Sequence, residues 1–362
     1  MWWKRERTSA ALPDLCGDLA RGVLARDEKT AAAAFHGIGR SIESAGPDEL
    51  TEGARRLRPA LERVPLGNGT ALAQVAAGLV EAGADPFVLL DVLVERVTDG
   101  LELGARFPAL AEKDGGEFEA PDSQAAADVL IERVTRAAAQ AGIERDESIR
   151  ITESYFTVDD WIPSLLLPLQ QKRVRQAVRG RERLAAATAA MEDHADAATW
   201  MYGLLQVIDD EAFLVIHRPS GRAYRLTVSG VGDNFQLHTL LAATLIGDPA
   251  QGLIAGDRPQ PAWIAAATDG PELQPAGGVR GQFEMWGADG DRVWGEGRPA
   301  DVPVVDGHRV VVLDVPSYAR SWNTGRVYPL MYPEITLDRI LPETEAAGWL
   351  ARISGRENRA EP

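Results

Sequence analysis

The stretch AFLVIHRPSGRAYRLTV, residues 212–228, contains two apolar runs that flank a Pro- and Gly-containing turn. Apolar and polar residues alternate in its second run, which is typical of a half-exposed strand, and the RPSG turn at 218–221 predicts a β-hairpin. Hairpin patterns recur around GADG at 287–290 and DG at 306–307. By contrast, Leu, Val and Ala recur at three- and four-residue spacing through the first 200 residues, which predicts helices. The chain is therefore expected to be an α+β protein: an all-α N-terminal part followed by an antiparallel, β-rich part.

The helical part contains a self-match that suggests a repeat. DVLVERVT at 91–98 and DVLIERVT at 128–135 lie 37 residues apart and differ at one conservative position. Turn signals ending at or containing Asp14, Asp48, Asp85 and Asp122 recur at intervals of 34, 37 and 37 residues. Such periods are the signature of helical-repeat solenoids, which present an extended binding surface. An ordinary helical bundle with two similar helices is the alternative.

These patterns predict five segments along the chain. They are an N-terminal tail at 1–12, a helical-repeat domain at 13–156, connecting helices at 157–203, an antiparallel α+β domain at 204–356 and a C-terminal tail at 357–362. Within the connecting helices, Lys172, Arg175, Arg179 and Arg183 fall on one stripe at helical spacing. We expect these cations to pair with the protein's own carboxylates.

Composition excludes several classes of function. The 362 residues include 38 basic and 54 acidic side chains, and the formal net charge of −16 argues against nucleic-acid and membrane partners. One cysteine excludes disulfide and thiolate-metal scaffolds. No apolar run reaches the ~20 residues of a membrane span, and the first residues contain no signal-like apolar core, so a cytoplasmic location is expected. The histidines show no metal-binding spacing, and no cofactor or metal is expected.

The segment GVGDNFQLH, residues 230–238, resembles the start of a phosphate-binding turn. A half-exposed hairpin strand precedes it and a third glycine is missing, so nucleotide binding is not expected. Asp233 and Gln236 instead predict a capping box at the start of a helix. His238 lies among apolar residues of that helix and should be buried with a partner. A structural role is one interpretation of His238, and catalysis together with Asp209, Glu211 or Arg320 is the other.

The segment PSYARSWNTGRVYPLMYPE, residues 316–334, is rich in residues that dominate binding hot spots. The candidate binding residues are Tyr318, Arg320, Trp322, Asn323, Arg326 and Tyr328. If the segment binds a partner, Trp322 and Tyr328 should be exposed, whereas a loop that plugs the sheet would bury them.

The sequence thus leads to two main hypotheses of function. The first is a non-catalytic interaction or scaffold protein that binds a protein or peptide through its helical surface and the 316–334 segment. The second is an enzyme acting on a small molecule at a site around His238. Nucleic-acid binding through the basic stripe at 172–183 is a weaker, third interpretation.

Overall fold

The computed structural model describes residues 11–113, 115 and 119–360 of the chain. These residues form two compact units. The helical unit comprises the chain up to Leu169 together with Arg173–Leu205, and the sheet unit comprises Gln170–Lys172 together with the chain from Gln206 onward. The helices that we expected to connect two domains at 157–203 therefore lie, apart from 170–172, in the helical unit.

Eleven α-helices are described up to Leu205. They are α1 (Leu12–Ala25), α2 (Glu28–Ser41), α3 (Pro47–Leu61), α4 (Leu66–Glu81), α5 (Leu90–Gly104), α6 (Phe107–Lys113), α7 (Gln124–Gln140), α8 (Arg145–Leu169), α9 (Lys172–Ala177), α10 (Arg181–Ala189) and α11 (Asp196–Leu205). No helix of the described part of the chain is long and apolar enough to cross a membrane.

Helix α8 is the centre of the helical unit, since α4, α5, α7 and α11 all pack against it. Its residues Trp161, Ile162 and Leu165 are completely buried. The Trp161 Nε1–H donates to the Leu66 carbonyl at 3.0 Å, which satisfies the one polar group that this indole brings into the core. The absence of a side chain at Gly69 makes room for the same indole, because a Cβ there would lie 2.3 Å from the Trp161 ring.

The expected solenoid repeat is not confirmed. In a solenoid each helix pair contacts only the neighbouring pairs, whereas α8 packs against helices from distant parts of the chain. The two self-matching segments also lie in different environments: Val92 is 3 % exposed in α5, and the matching Val129 is 61 % exposed in α7. Similar sequence here does not produce similar packing, because the neighbours of each helix decide which of its faces is covered.

The basic run at 172–183 does not form one helix. Helix α9 ends at Ala177, and α10 begins at Arg181, after Gly180 with its left-handed φ of 73°. The expected pairing with carboxylates is confirmed for Lys172, whose Nζ lies 2.5 Å from Asp210, and for Arg183, whose guanidinium binds Glu102 at 2.5 Å. This part of the chain therefore provides no continuous basic stripe for nucleic acid.

The sheet unit contains eight strands and three helices among its described residues. The strands are β1 (Glu211–His217), β2 (Arg222–Ser229), β3 (Val279–Arg280), β4 (Glu284–Gly287), β5 (Val304–Val305), β6 (His308–Asp314), β7 (Ser321–Trp322) and β8 (Glu334–Ile340). The helices are α12 (Asn234–Leu245), α13 (Pro261–Ala267) and α14 (Glu343–Ala360). The main sheet has the order β4-β6-β1-β2-β8 with β5 paired to β6, and β3 pairs separately with β7.

The α+β class is confirmed, but the sheet is mixed instead of antiparallel. The hairpins β1–β2 and β5–β6 form as expected, the second through Asp306 and Gly307, both with positive φ. Around GADG a short hairpin forms as expected, with an antiparallel bridge between Trp286 and Arg292 and a hydrogen bond from the Val293 N–H to the Met285 carbonyl at 2.9 Å. Its first arm, β4, also pairs with β6. The long connection through α12 and α13 brings β6 back beside β1 in the parallel direction. Local hairpin signals do not reveal such a long-range pairing.

The centre of the main sheet, at β1 and β6, is buried on both faces, whereas the edge strand β8 is partly exposed. Phe213 and Val215 of β1 belong to a core that includes Leu237 and Leu241 of α12. The alternate residue Leu214 belongs to a second core, which includes Trp349 of α14. Because both faces are covered, β1 is an almost continuous apolar run.

Candidate functional site

The N-terminus of α12 uses its hydrogen-bond donors within the protein. The Asp233 side chain accepts from the Gln236 N–H at 2.7 Å, and the Gln236 Oε1 accepts from the Gly232 N–H at 2.8 Å, one residue before the atom expected for a capping box. The N–H groups of Asn234 and Phe235 donate to carbonyls of the 295–297 loop at 2.9 and 3.0 Å. A phosphate would need these donors free, so the turn is a structural helix cap.

His238, on the second turn of α12, is 1 % exposed. Its Nε2 accepts hydrogen bonds from the backbone N–H groups of Gln282 at 3.1 Å and Phe283 at 3.2 Å. Burial, together with the smaller effect of the Arg320 charge, lowers the pKa of His238 from 6.5 to about 3. The imidazole is therefore neutral and carries its proton on Nδ1, which has no hydrogen-bond partner.

A small cavity of about 30 Å³ lies beside this imidazole. It is lined by Asn234, Phe235, His238, Met285, Arg292, Val293, Trp294, Gly295, Arg320 and Trp322. Five of these residues contribute a buried polar atom without a hydrogen-bond partner: Asn234 Oδ1, His238 Nδ1, Arg292 Nη2, Arg320 Nε and Trp322 Nε1. We call this cavity the His238 cavity.

The short β3–β7 pair places Arg320 and Trp322 at the cavity. The Trp322 ring lies edge-on to His238 with 4.8 Å between ring centroids, and the Arg320 guanidinium lies 5.4 Å from the Trp322 ring. Gly281 permits this approach, since a Cβ there would lie 2.9 Å from the Trp322 ring. Gly295 similarly lets its loop pack against Phe235, at a distance that no side chain would allow. The absence of side chains at Gly281 and Gly295 therefore allows the walls of the cavity to pack closely.

The other candidate binding residues of 316–334 lie elsewhere. Tyr318 and Asn323 are exposed, and Arg326 donates to the Thr268 carbonyl at 2.9 Å. Tyr328 is only 5 % exposed, and burial raises the pKa of its hydroxyl. The expectation that Tyr328 is available to a partner is therefore wrong, because its ring is part of the packed interior. Residues 316–334 thus include the buried Tyr328 as well as the exposed Tyr318 and Asn323.

The carboxylates considered as catalytic partners of His238 do not line its cavity. Asp209 accepts a hydrogen bond from the Ser229 hydroxyl at 3.1 Å. Glu211 lies 3.3 Å from the Nε of Arg309, across the β1–β6 pair. Of the predicted residues, the structure brings together only His238, Arg320 and Trp322. In the parts of the chain that the structure describes, no group of three His, Cys, Asp or Glu residues is arranged to hold a metal ion.

The helical unit contains a second candidate site, which the sequence analysis did not identify. It is a groove of about 650 Å³ whose lining includes Arg26, Arg63, Arg96 and Arg150. We call it the arginine groove. Its apolar wall is formed by Val64, Pro65, Leu66, Leu103 and Ile149, and it also contains Asp99, Asp146 and Glu153.

The four arginines of the groove have no carboxylate within 4.0 Å in the described part of the chain. Arg96 is held in place by its hydrogen bond to the Val64 carbonyl and by its position 5.6 Å from the Trp161 ring. Its Nε is buried without a partner, and burial lowers the pKa of this guanidinium. Burial also raises the pKa of the Glu153 carboxyl, and the charge of Arg26 opposes this shift.

Arg26 directly follows α1 and Arg63 lies just beyond α3, whereas Arg96 is in the middle of α5 and Arg150 in the second turn of α8. Their dispersal along the chain conceals the site in the sequence. The one available signal is spacing: Arg26, Arg63 and Arg96 are separated by 37 and 33 residues, close to the interval of the turn signals.

Comparisons of the chain with models of protein families, with characterised proteins and with solved structures gave no match.

Proposed function

We propose that this protein is a non-catalytic interaction protein, and that its arginine groove binds an acidic segment of a partner protein. The observation that supports the proposal is the concentration of four arginines without ion-pair partners, within the described residues, in one groove of a chain with a net charge of −16. Elsewhere in the same unit, Arg58, Arg106 and Arg183 pair with carboxylates, and the exposed Arg40 and Arg136, which have no ion pair in the described chain, lie outside the groove. Guanidinium groups left without internal partners favour bidentate contacts with carboxylates of another molecule.

The negative charges of the groove do not cancel this attraction. Asp99 binds Arg183 at 2.7 Å, and Arg183 also binds Glu102, so Asp99 is only partly compensated from outside the groove and still interacts with Arg96. Glu153 is half-buried, and the raised pKa of its carboxyl reduces its tendency to carry charge. With Asp146, the groove has four arginines against three carboxylates, so it keeps an excess of positive charge. The volume of about 650 Å³ lies within the range typical of ligand pockets, and the apolar wall can hold side chains between the acidic residues of a peptide.

The exposed residues of 316–334 provide a second contact surface for the partner. Tyr318 and Tyr332 are each 58 % exposed, and Arg326 lies 5.3 Å from the Tyr332 ring. Exposed tyrosines provide large contact areas at low entropic cost. A solenoid arrangement is not required, since the groove needs only the local packing of α1, α3, α5 and α8. We place this function in the cytoplasm, as the sequence leads us to expect.

Catalysis at His238 is less well supported. A general base needs a free lone pair, and the Nε2 lone pair of His238 is engaged by two backbone donors. The pKa of about 3 also makes the imidazolium form inaccessible at neutral pH. These observations favour a fixed hydrogen-bond donor over a proton-transfer group.

The proposal can be tested with a fluorescent acidic peptide that alternates Glu or Asp with Leu, measured by fluorescence anisotropy. We compare the wild type with Arg63→Glu/Arg150→Glu, two exposed groove residues. The matched control is Arg40→Glu/Arg136→Glu, an equal charge change at exposed positions outside the groove. We expect micromolar binding that weakens with salt and a loss of about tenfold or more in the groove variant only.

Equal binding to both variants would refute the groove, as would a failure of the wild type to bind the peptide below about 1 mM. Binding of duplex DNA in preference to the peptide, with a steep salt dependence, would instead favour the nucleic-acid interpretation.

A further inference from the structure

The unpartnered polar atoms of the His238 cavity point to a ligand site in the sheet unit. Buried polar groups in proteins are almost always hydrogen-bonded. Here five polar atoms without partners line one small cavity, and two of them belong to residues at least 98 % buried, Asn234 and His238. Such a concentration is expected where a bound molecule completes the hydrogen bonds.

The cavity presents mainly donors and positive charge. The N–H groups of His238, Arg292, Arg320 and Trp322 are four donors, and Asn234 Oδ1 is the one acceptor among the unpartnered atoms. Glu284 lies 3.7 Å from Arg292 and also interacts with the charge of Arg320, so one carboxylate partly compensates two arginines. A ligand with a negative charge and several acceptor atoms fits this arrangement.

Asn234 adds a second requirement. Its Nδ2 donates to the Trp294 carbonyl at 2.8 Å, which fixes the orientation of the amide and leaves Oδ1 as the cavity acceptor. A halide would face this oxygen without offering it a hydrogen bond. The ligand must therefore carry a donor close to its charged group.

The size of the cavity limits the group that can enter. Its volume of about 30 Å³ exceeds the ~10–15 Å³ needed for one water molecule and accommodates a head group of a few heavy atoms. The exposed Trp294, 5.4 Å from the Arg292 guanidinium, lies at the cavity where the remainder of a ligand can extend.

We propose that the His238 cavity binds a small organic acid that carries a hydroxyl or amino group beside its carboxylate. The carboxylate accepts from Arg320 and from the Nδ1–H of His238, and Trp322 donates to it from the side. The neighbouring hydroxyl or amino group donates to Asn234 Oδ1. His238 is suited to this role because its Nε2 bonds to Gln282 and Phe283 keep the proton on Nδ1.

Isothermal titration with three probes tests the chemistry. Glycolate carries both groups, acetate lacks the hydroxyl, and ethylene glycol lacks the charge. We expect glycolate to bind, acetate to bind about tenfold more weakly because Asn234 Oδ1 stays unpaired, and ethylene glycol to show no binding. Tryptophan fluorescence should change with glycolate in parallel, since Trp322 contacts the ligand.

Two variants test the assignment of the residues. His238→Gln replaces Nε2 by an amide oxygen that can accept the same backbone hydrogen bonds, but it removes the Nδ1–H donor. We expect it to weaken glycolate binding about tenfold or more. Trp322→Phe keeps an aromatic ring but removes the Nε1–H together with part of the indole. We expect it to weaken glycolate binding several-fold, and it provides a second test if His238→Gln fails to fold. The matched control, His308→Gln, lies outside the cavity and should bind like the wild type.

The proposal would be overturned if neither glycolate nor acetate bound up to about 10 mM, since the cavity would then hold only ordered water. Equal binding of all three probes, or unchanged glycolate affinity in both variants, would also overturn it. Each result is independent of the acidic-peptide test, which concerns the helical unit.

Discussion

Acidification should destabilise the wild-type protein more than the His238→Gln variant. His238 takes up a proton below pH 6.5 in the unfolded chain, but only near pH 3 in the fold. The unfolded state therefore binds more protons between these values, and the stability that neutral His238 contributes is complete above pH 6.5 and falls as the pH decreases. The slope is about 1.4 kcal/mol per pH unit, so about 2 kcal/mol is lost between pH 7.5 and pH 5.0.

Chemical unfolding of both proteins at pH 7.5 and pH 5.0, followed by tryptophan fluorescence, measures this effect. All other titrating groups are common to the two proteins, so they cancel in the difference between the free energies of unfolding. We expect that difference to shift by about 2 kcal/mol in favour of His238→Gln at pH 5.0. Trp322→Phe retains His238 and should follow the wild type. A shift below about 0.5 kcal/mol, or one of opposite sign, would show that His238 is not held neutral by burial.

Two further predictions concern the helical unit. Gly69→Ala should lower the free energy of unfolding by about 1 to 3 kcal/mol, because its Cβ would overlap the Trp161 ring. In contrast, a Cβ at Gly39 would have no atom within 4 Å, so Gly39→Ala should raise the free energy of unfolding by up to about 1 kcal/mol through its higher helix propensity. Denaturant titrations of both variants measure this contrast, and equal effects would contradict it. Cys16 is completely buried and burial raises the pKa of its thiol to about 12, so iodoacetamide at pH 8 should label it only in denaturant, and rapid labelling of the native protein would refute the burial.

The local elements of this protein could be predicted from its sequence. The change from a three- and four-residue period to an alternating one separated the helical part from the strands, because each backbone geometry repeats its side-chain directions over a few residues. The hairpin turn at Asp306 and Gly307 and the Asp233 cap depend on neighbours within the same few residues. Such features need no knowledge of the rest of the chain.

The arrangement of these elements was decided only by the tertiary structure. The similar segments containing Val92 and Val129 predicted a repeat. However, burial depends on which helices pack on each face, so Val92 is buried in α5 and Val129 is exposed in α7. The parallel pairing of β6 with β1 likewise joins strands separated by the long connection through α12 and α13.

The two candidate sites follow the same rule. His238 was noticed in the sequence, and Arg320 and Trp322 were noticed separately, but the β3–β7 pair brings them to one cavity. The arginine groove was missed because its four cations come from four separate parts of the chain. The sequence determined which side chains are available and which local structures form. The packing of distant segments decided which charges lost their partners and which polar atoms came to face one another, because electrostatic and hydrogen-bond interactions depend on distance in space and not along the chain.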